Sequence, residues 1–216
     1  MSGNMKIEIT KDGPYIVYGE VPLSDETIKV DFMGKATDWV RGERHYPDEV
    51  YTLCRCGLSK SKPFCDNSHC SGFDGAETAH KDKFEDRSHV IAVGAGGVEL
   101  LQEAVLCTGS GFCHAKTGVS NAIKKEKTMD VAKQQCRDCA GGSLTLRKDG
   151  VLLEDELPEE ITVTTTRSGI GPLRVTGGIV IVSADGTSYE IRNRVALCRC
   201  GASTNKPFCD GRHLKL

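Results

Sequence analysis

The sequence predicts a mainly β protein with small α elements, an α+β fold, made of two similar units around a partly helical middle segment. Three observations predict it: a sequence repeat, strand-forming segments separated by turn residues, and an unusual number of cysteines. The 216 residues include 24 Gly, 11 Cys and only 6% aromatic residues, which indicates a turn-rich chain with a modest hydrophobic core. The cysteines are therefore the first feature that a functional interpretation has to explain.

The repeat joins two segments that lie 144 residues apart. Residues 53–69 and 197–213 are identical at 12 of 17 positions, including a shared Cys-Arg-Cys-Gly and a shared Lys-Pro-Phe-Cys-Asp. The similarity extends upstream to 13–19 and 171–177, which both begin with Gly-Pro. The spacing predicts about 14 extra residues in the first copy, around 37–50.

Strand signals occur in both copies. Two strand-forming segments, 6–10 and 15–18, lie on either side of a Lys-Asp-Gly-Pro turn, which predicts a hairpin. The C-terminal third carries segments that predict a β-meander or small sandwich: 144–146, 151–153, 161–164, 178–182 and 189–191. A charged linker over 76–90 leads to helix signals at 119–127 and 129–135. The predicted organisation is a first unit over 1–75, a linker and middle segment over 76–142, and a second unit over 143–216.

Charge and hydropathy exclude several functional classes. The 28 basic and 30 acidic residues give a formal net charge of −2, without the basic surface that nucleic-acid binding requires. The apolar runs are far shorter than the roughly 20 residues of a membrane-spanning helix, and the first residues lack the features of a signal or transit peptide. We therefore expect a cytoplasmic protein in which clustered cysteines serve metal or redox chemistry rather than disulfides.

Each repeat carries the same ligand-type pattern, Cys-x-Cys-x₈-Cys-x₃-His. Its members are Cys54, Cys56, Cys65 and His69 in the first copy, and Cys198, Cys200, Cys209 and His213 in the second. Side chains i and i+2 of an extended segment share a face, so the Cys-x-Cys pair can hold one metal atom. The Asp after the third Cys favours a helical turn that brings the His near that Cys, and this second pair can hold a second metal atom. The preceding Lys-Pro-Phe supplies an apolar cover.

A pair of Cys₃His zinc sites is the competing interpretation of the same eight residues. Structural zinc sites usually place two to four residues between paired cysteines. One residue between them is tight for a single tetrahedral ion. The spacing therefore favours two metal atoms in each motif over one zinc ion.

The whole pattern resembles the CDGSH iron–sulfur domain family, also called mitoNEET-like, and the tandem arrangement resembles its bacterial members with two motifs. The likeness extends to further loop residues: Ser59, Pro63 and Asp66 in the first copy, and Ser203, Pro207 and Asp210 in the second. Asn67 stands where the family has Gly, and Arg212 stands where it has Ser. Asn tolerates left-handed backbone better than most residues, so the first departure is mild.

The resemblance implies one [2Fe–2S] cluster per motif, with the Cys-x-Cys pair on one iron and the Cys and His on the other. Such a protein is expected to carry electrons for a redox partner protein and to have no catalytic residues. Storage of clusters, their transfer to an apo-acceptor, or redox sensing is the alternative. Family members pair two motifs in a swapped homodimer, so two motifs on one chain imply an intramolecular pseudo-dimer that stays a monomer.

Five cysteines lie outside the two motifs. Four belong to a stretch similar to the ferredoxin-like mono-cluster segment sometimes found beside CDGSH motifs: Cys107, Cys113, Cys136 and Cys139. Ala140 stands where that segment usually has Pro. A third cluster or metal ion is one interpretation, and packing as small core residues is the other. Cys70 directly follows His69 and is expected to be a surface or packing thiol.

Overall fold

The computed structural model describes residues 5–166 and 169–216 as a mainly β fold. Residues 1–4, on which the expected location partly depends, lie outside the described residues. The strands are, in chain order, β1 (Lys6–Ile9), β2 (Tyr15–Tyr18), β3 (Leu23–Val30), β4 (Ala36–His45), β5 (Val50–Leu53), β6 (His89–Val93), β7 (Glu99–Gln102), β8 (Leu144–Lys148), β9 (Val151–Leu153), β10 (Glu160–Thr166), β11 (Gly169–Thr176), β12 (Val180–Val182) and β13 (Arg194–Leu197).

The helices of the described part are short. They are α1 (Phe84–Arg87), α2 (Val119–Ala122) and α3 (Met129–Arg137), and 3₁₀ turns cover Ser68–Ser71, Ala95–Gly97, Ala104–Leu106, Phe112–His114, Glu126–Thr128 and Arg212–Lys215. Helices α2 and α3 lie where the sequence predicts them, so the predicted α+β, mainly β fold is confirmed. Over residues 5–166 and 169–216, no helix combines the length and the apolar character of a membrane span.

The predicted N-terminal hairpin is formed by β1 and β2. Alternate side chains of both strands point into the core, and Ile7, Ile9, Tyr15 and Val17 are all buried. The connecting turn holds Asp12 at φ 50°, in the left-handed region that Asp enters more readily than most residues. The alternation of apolar and polar residues determines the buried face of β1, and β2 buries every second residue of an apolar and aromatic segment.

Two strands are exchanged between the two halves of the chain. In the first sheet, of order β12-β1-β2-β5, β12 from the second half pairs in parallel with β1 and places Ile181 opposite Ile7. In the second sheet, of order β13-β11-β10-β3-β4, β3 from the first half pairs in parallel with β10 and places Leu23 opposite Ile161. The two pairings occupy equivalent positions, so the chain forms the predicted intramolecular pseudo-dimer.

The extra residues of the first copy form β4. This strand pairs antiparallel with β3 at the edge of the second sheet. It carries Trp39, whose indole N–H donates to the carbonyl of Asp138 at 3.1 Å and whose ring centroid lies 5.0 Å from that of Phe112. The insertion therefore ties the second sheet to the middle segment.

The third sheet differs from the sequence prediction. Strands β8 and β9, expected in the C-terminal meander, pair instead with β6 and β7 in the order β6-β7-β8-β9. The reason is the buried face of β8, because Leu144 and Leu146 pack in a separate hydrophobic cluster with residues of α2 and α3.

The segment 189–191, predicted as a strand, is not one. Its Tyr189 is anchored by side-chain contacts instead. The hydroxyl donates to Glu77 at 2.7 Å, and the ring lies 5.1 Å from that of Phe208.

The main hydrophobic core lies between the first two sheets. It joins buried side chains of the first copy, such as Ile7 and Leu53, to those of the second copy, such as Ile161 and Leu197. Both copies contribute to one core, so each metal-type loop is supported by residues of both copies.

Candidate metal centres

The first metal-type loop begins where β5 ends. Cys54 directly follows this strand, and its Sγ lies 3.8 Å from the Sγ of Cys56. The Sγ of Cys65 lies 3.4 Å from Nδ1 of His69. The four ligand-type side chains therefore form the two close pairs that the spacing predicts.

The second loop begins where β13 ends and repeats the arrangement. The Sγ atoms of Cys198 and Cys200 are 3.7 Å apart, and the Sγ of Cys209 is 3.3 Å from Nδ1 of His213. In the described ranges 5–166 and 169–216, no group of three or more Cys, His, Asp or Glu side chains gathers around one ion position. The donors thus come as pairs in both loops.

Backbone hydrogen bonds hold the first and third Cys of each motif side by side. In the first loop, the N–H of Cys54 donates to the carbonyl of Pro63 at 2.8 Å, and the N–H of Cys65 donates to the carbonyl of Thr52 at 3.0 Å. The second loop repeats both bonds at 2.8 Å. The repeated Lys-Pro-Phe-Cys sequence therefore folds back onto the strand that precedes the loop.

Asp66 supports the turn that carries His69. Its carboxylate accepts hydrogen bonds from the backbone N–H of Ser68 at 3.0 Å and of Lys60 at 2.8 Å. Bonds from Ser68 first, and from Lys60 next, lower the pKa of Asp66 well below its usual value. The carboxylate is therefore ionised at neutral pH and joins both ends of the loop.

Asp210 has the same role in the second loop. Burial acts to raise its pKa, but hydrogen bonds from Thr204 and Arg212 outweigh burial and lower the pKa. The following Gly211 has φ 82°, and Asn67 at the equivalent position has φ 67°. The replacement of Gly by Asn in the first motif thus occurs at a left-handed residue, where Asn is the best substitute.

Burial favours the neutral form of most of the thiols. It raises the pKa of Cys65, and it raises that of Cys209 to about 12. Within the second Cys-x-Cys pair, the hydrogen bond between the thiols lowers the pKa of Cys198 to about 6 and raises that of Cys200. A metal has to displace these protons, because the thiolate is the ligand form, so binding is expected to strengthen as pH rises.

Backbone N–H groups point at three of the thiols. Those of Leu58, Asn67 and Gly211 donate to Cys56, Cys65 and Cys209, each at 3.4 Å. Such bonds stabilise the thiolate, and in iron–sulfur proteins they are among the features that set the reduction potential.

The middle residue of each Cys-Arg-Cys sequence is a buried arginine. Neither arginine was identified as a candidate site residue from the sequence. Arg55 is 2% exposed and Arg199 is 6% exposed. Each guanidinium donates to two backbone carbonyls. The positive charge of Arg199 acts on the thiolates of Cys54 and Cys200 and offsets their charge. The identical Cys-Arg-Cys in both repeats is the sequence signal that could have identified them.

The two loops contact each other through glycines. A Cβ on Gly57 would lie 2.6 Å from the carbonyl oxygen of Cys200, and a Cβ on Gly201 would overlap the carbonyl of Cys56. Both glycines also have positive φ, of 82° and 77°. Because only glycine meets both requirements, these positions fix the close approach of the two sites.

The four middle cysteines divide between core and surface. Cys136 and Cys139 are buried in the hydrophobic cluster of the middle segment, and Cys113 packs against this cluster. Cys107 is exposed, and it lines with Cys113 a cavity of about 510 Å³. Burial raises the pKa of Cys113 to about 11 and that of Cys136 to about 12. The third-site interpretation stays a prediction, and for Cys136 the surroundings favour the packing interpretation.

Comparison with protein families agrees with the geometry. The family model for the iron-binding zinc finger of CDGSH type matches the chain twice, over residues 12–70 and 170–214. No curated protein and no solved structure matches the chain. The two matched ranges contain every ligand-type residue of the two loops. The chain therefore carries two tandem iron-binding domains of the CDGSH family.

Proposed function

We propose that the chain holds two [2Fe–2S] clusters, one in each motif, and carries electrons between redox proteins. The observation that supports this most directly is the duplicated pairing of the donor atoms. Each loop offers one thiol pair and one thiol–imidazole pair, with the atoms of each pair 3.3 to 3.8 Å apart. A two-iron cluster takes two protein ligands on each iron, and the four donors of each loop meet that requirement.

The mixed ligand set suits an electron carrier. A bound [2Fe–2S] cluster supplies one-electron chemistry, and three thiolates with one neutral imidazole leave about one less negative charge than four thiolates. Arg199 adds buried positive charge that acts on the thiolates of Cys54 and Cys200. Less negative charge makes electron uptake easier, so we expect a reduction potential above that of plant-type ferredoxins, as for His-ligated Rieske centres.

The aromatic residue before the third Cys anchors each loop to the main core. The Phe208 ring packs edge-to-face on Tyr189 at 5.1 Å, and the Phe64 ring packs on Tyr51 at 6.4 Å. Ser59 holds the backbone at Phe64, since its hydroxyl donates to the Phe64 carbonyl at 2.7 Å. These contacts help to keep the neighbouring ligand residues in place.

Storage and transfer of clusters, or redox sensing, is the second candidate function. The observation that favours it is the partial exposure of His69. An imidazole has to be unprotonated to bind metal, so acid competes for this ligand more easily than for a buried thiolate. A Cys₃His zinc module is the third and less favoured candidate.

The proposal describes a binding protein rather than an enzyme. It includes a redox partner protein or an apo-acceptor of the cluster, a monomeric chain, and a cytoplasmic location. All 11 cysteines are free, which suits a reducing compartment.

Metal analysis of the purified full-length protein tests the proposal. We expect about four iron and four sulfide per chain, with a visible absorption spectrum that bleaches reversibly on reduction. Reversible reduction without loss of iron supports electron transfer. Rapid transfer of the clusters to an apo-ferredoxin, slowed by His69→Cys, supports cluster donation. A colourless protein that contains zinc contradicts both.

A further inference from the structure

The two metal-type sites differ in how far the rest of the chain covers them. In the second loop, Cys209 is 3% exposed and His213 is 6% exposed. Their counterparts in the first loop, Cys65 and His69, are only half-buried. The same ligand pattern therefore lies in two different surroundings.

The charged linker covers one side of the second loop. The backbone N–H groups of Thr78 and Ala79 donate to the carbonyl of Lys206 at 2.8 and 2.9 Å, and the Thr78 hydroxyl donates to the carbonyl of Thr204 at 2.8 Å. At the equivalent position of the first loop, Lys62 donates through Nζ to Ser59 of its own loop at 2.7 Å. The linker thus adds an outer layer to the second loop.

The middle segment covers the other side of the second loop. A Cβ on Gly211 would lie 2.8 Å from the carbonyl oxygen of Cys107, and a Cβ on Gly109 would overlap the side chain of Leu214. The residues of the first loop equivalent to Gly211 and Leu214 are Asn67 and Cys70, and both are exposed. Leu214 is itself 42% exposed, so the difference lies in the contacts of Gly211 and in the burial of His213. The turn that bears His213 is therefore packed against the chain, whereas the turn that bears His69 faces outward.

A cavity reaches the Cys-x-Cys side of the second site. This cavity, of about 280 Å³, is lined by Gly57, Ile170, Arg199, Cys200, His213 and Leu216. Small ions can enter a cavity of this size. Cys200, which lines it, is half-buried, so the stronger cover of the second site concerns its Cys209 and His213 side.

We infer that a protein partner meets this chain at the Cys65 and His69 side of the first site, and that the equivalent Cys209 and His213 side of the second site is covered by the linker and the middle segment. The inference rests on the proposed function for the nature of the partner, whereas the difference in cover between the two loops does not depend on which metal they hold. The partner is a one-electron redox protein. It loses the one electron that the first site gains, or the reverse, and no bond is formed or broken.

Release of the bound metal to a bulky chelator tests the difference in access. Full-length protein is mixed with bathophenanthroline disulfonate, and the visible absorbance is followed. We expect half of the absorbance to decay rapidly and half on the order of ten-fold more slowly, since the covered site has to open first. In single-site proteins, Cys209→Ser should keep the fast phase and Cys65→Ser the slow phase. Equal rates, or faster release from Cys65→Ser, overturn the inference.

A matched pair of variants tests whether the cover causes the slow phase. The side chain of Leu214 contacts Gly109 although Leu214 is 42% exposed, and its counterpart Cys70 is exposed as well. We expect Leu214→Ser to accelerate the slow phase several-fold and Cys70→Ser to leave both phases unchanged. An unchanged slow phase in Leu214→Ser overturns the inference.

Metal analysis separates failure of this inference from failure of the proposed function. If the protein holds zinc without iron or sulfide, the cluster proposal fails, and zinc release to 4-(2-pyridylazo)resorcinol is expected to show the same two phases. If it holds no metal, maleimide labelling followed by mass spectrometry should modify Cys65 before Cys209. Equal or reversed order in either experiment overturns the inference.

Discussion

At the scale of single residues, the imidazole ligands are expected to set the reduction potential. Replacing His213 by Cys adds a thiolate, and with it one negative charge, at a buried site beside Arg199. We expect His213→Cys to lower the potential of the second cluster by on the order of 100 mV, measured by an anaerobic optical titration. Cys70→Ser, which changes an exposed thiol outside both ligand sets, is the control. An unchanged potential in His213→Cys contradicts the assignment of this residue as a ligand.

The pH at which each site loses its metal is also a property of single residues. Burial first, and the charge of Arg199 next, lower the pKa of His213, while Asp210 acts in the opposite direction. A lower pKa means that the imidazole takes up its proton at a more acidic pH, so the ligand form persists further into the acid range. We expect Cys65→Ser, which retains only the second site, to keep its absorbance to a lower pH than Cys209→Ser. Coincident acid transitions in a series of buffers contradict this expectation.

At the scale of elements, the glycines between the loops are expected to control stability. Gly201 and Gly186 both have positive φ, but a Cβ on Gly201 would overlap Cys56, whereas one on Gly186 meets no atom within 4 Å. We expect Gly186→Ala to cost about 1 kcal/mol from backbone strain alone, and Gly201→Ala to cost a further 1 to 3 kcal/mol, roughly, from crowding. Urea denaturation measures both. If the two variants lose the same free energy of unfolding, the close contact between the loops does not contribute to stability.

The sequence predicts where the strands lie better than it predicts which strands pair with each other. The hairpin of β1 and β2 follows from its alternation, because the buried face is a local property of the two strands. The pairing of β8 with β7 does not follow, because it depends on the distant apolar faces of α2 and α3. The ligand pairs were predictable because Cys-x-Cys and Cys-x₃-His are local spacings. The unequal cover of the two sites was not, because it depends on contacts between segments far apart in the chain.

The role of Cys136 on α3 is a further prediction at this scale. This thiol is 3% exposed and packs in the cluster that contains Ile123 and Leu146. Ala is similar in size, so we expect Cys136→Ala to change the free energy of unfolding by about 1 kcal/mol and to leave the iron content unchanged. Iron analysis and urea denaturation measure these quantities. A loss of iron in this variant would instead support a third metal site in the middle segment.

At the scale of the whole molecule, strand exchange links each metal site to the opposite half of the chain. Ile181 of β12 is 4% exposed and pairs with Ile7 of β1, in the sheet that supports the first loop. Ile181→Ala leaves a cavity in the shared core and should cost about 2 to 5 kcal/mol. Because the first sheet carries the first loop, we expect this distant change to speed metal loss from the first site, measured in the Cys209→Ser background.

In urea, the visible absorbance and the far-ultraviolet circular dichroism of Ile181→Ala should decay together. Val151→Ala, at a position 64% exposed on β9, is the control. If Ile181→Ala destabilises the fold while the first site keeps its metal through the unfolding transition, the two halves are not coupled as the exchange requires.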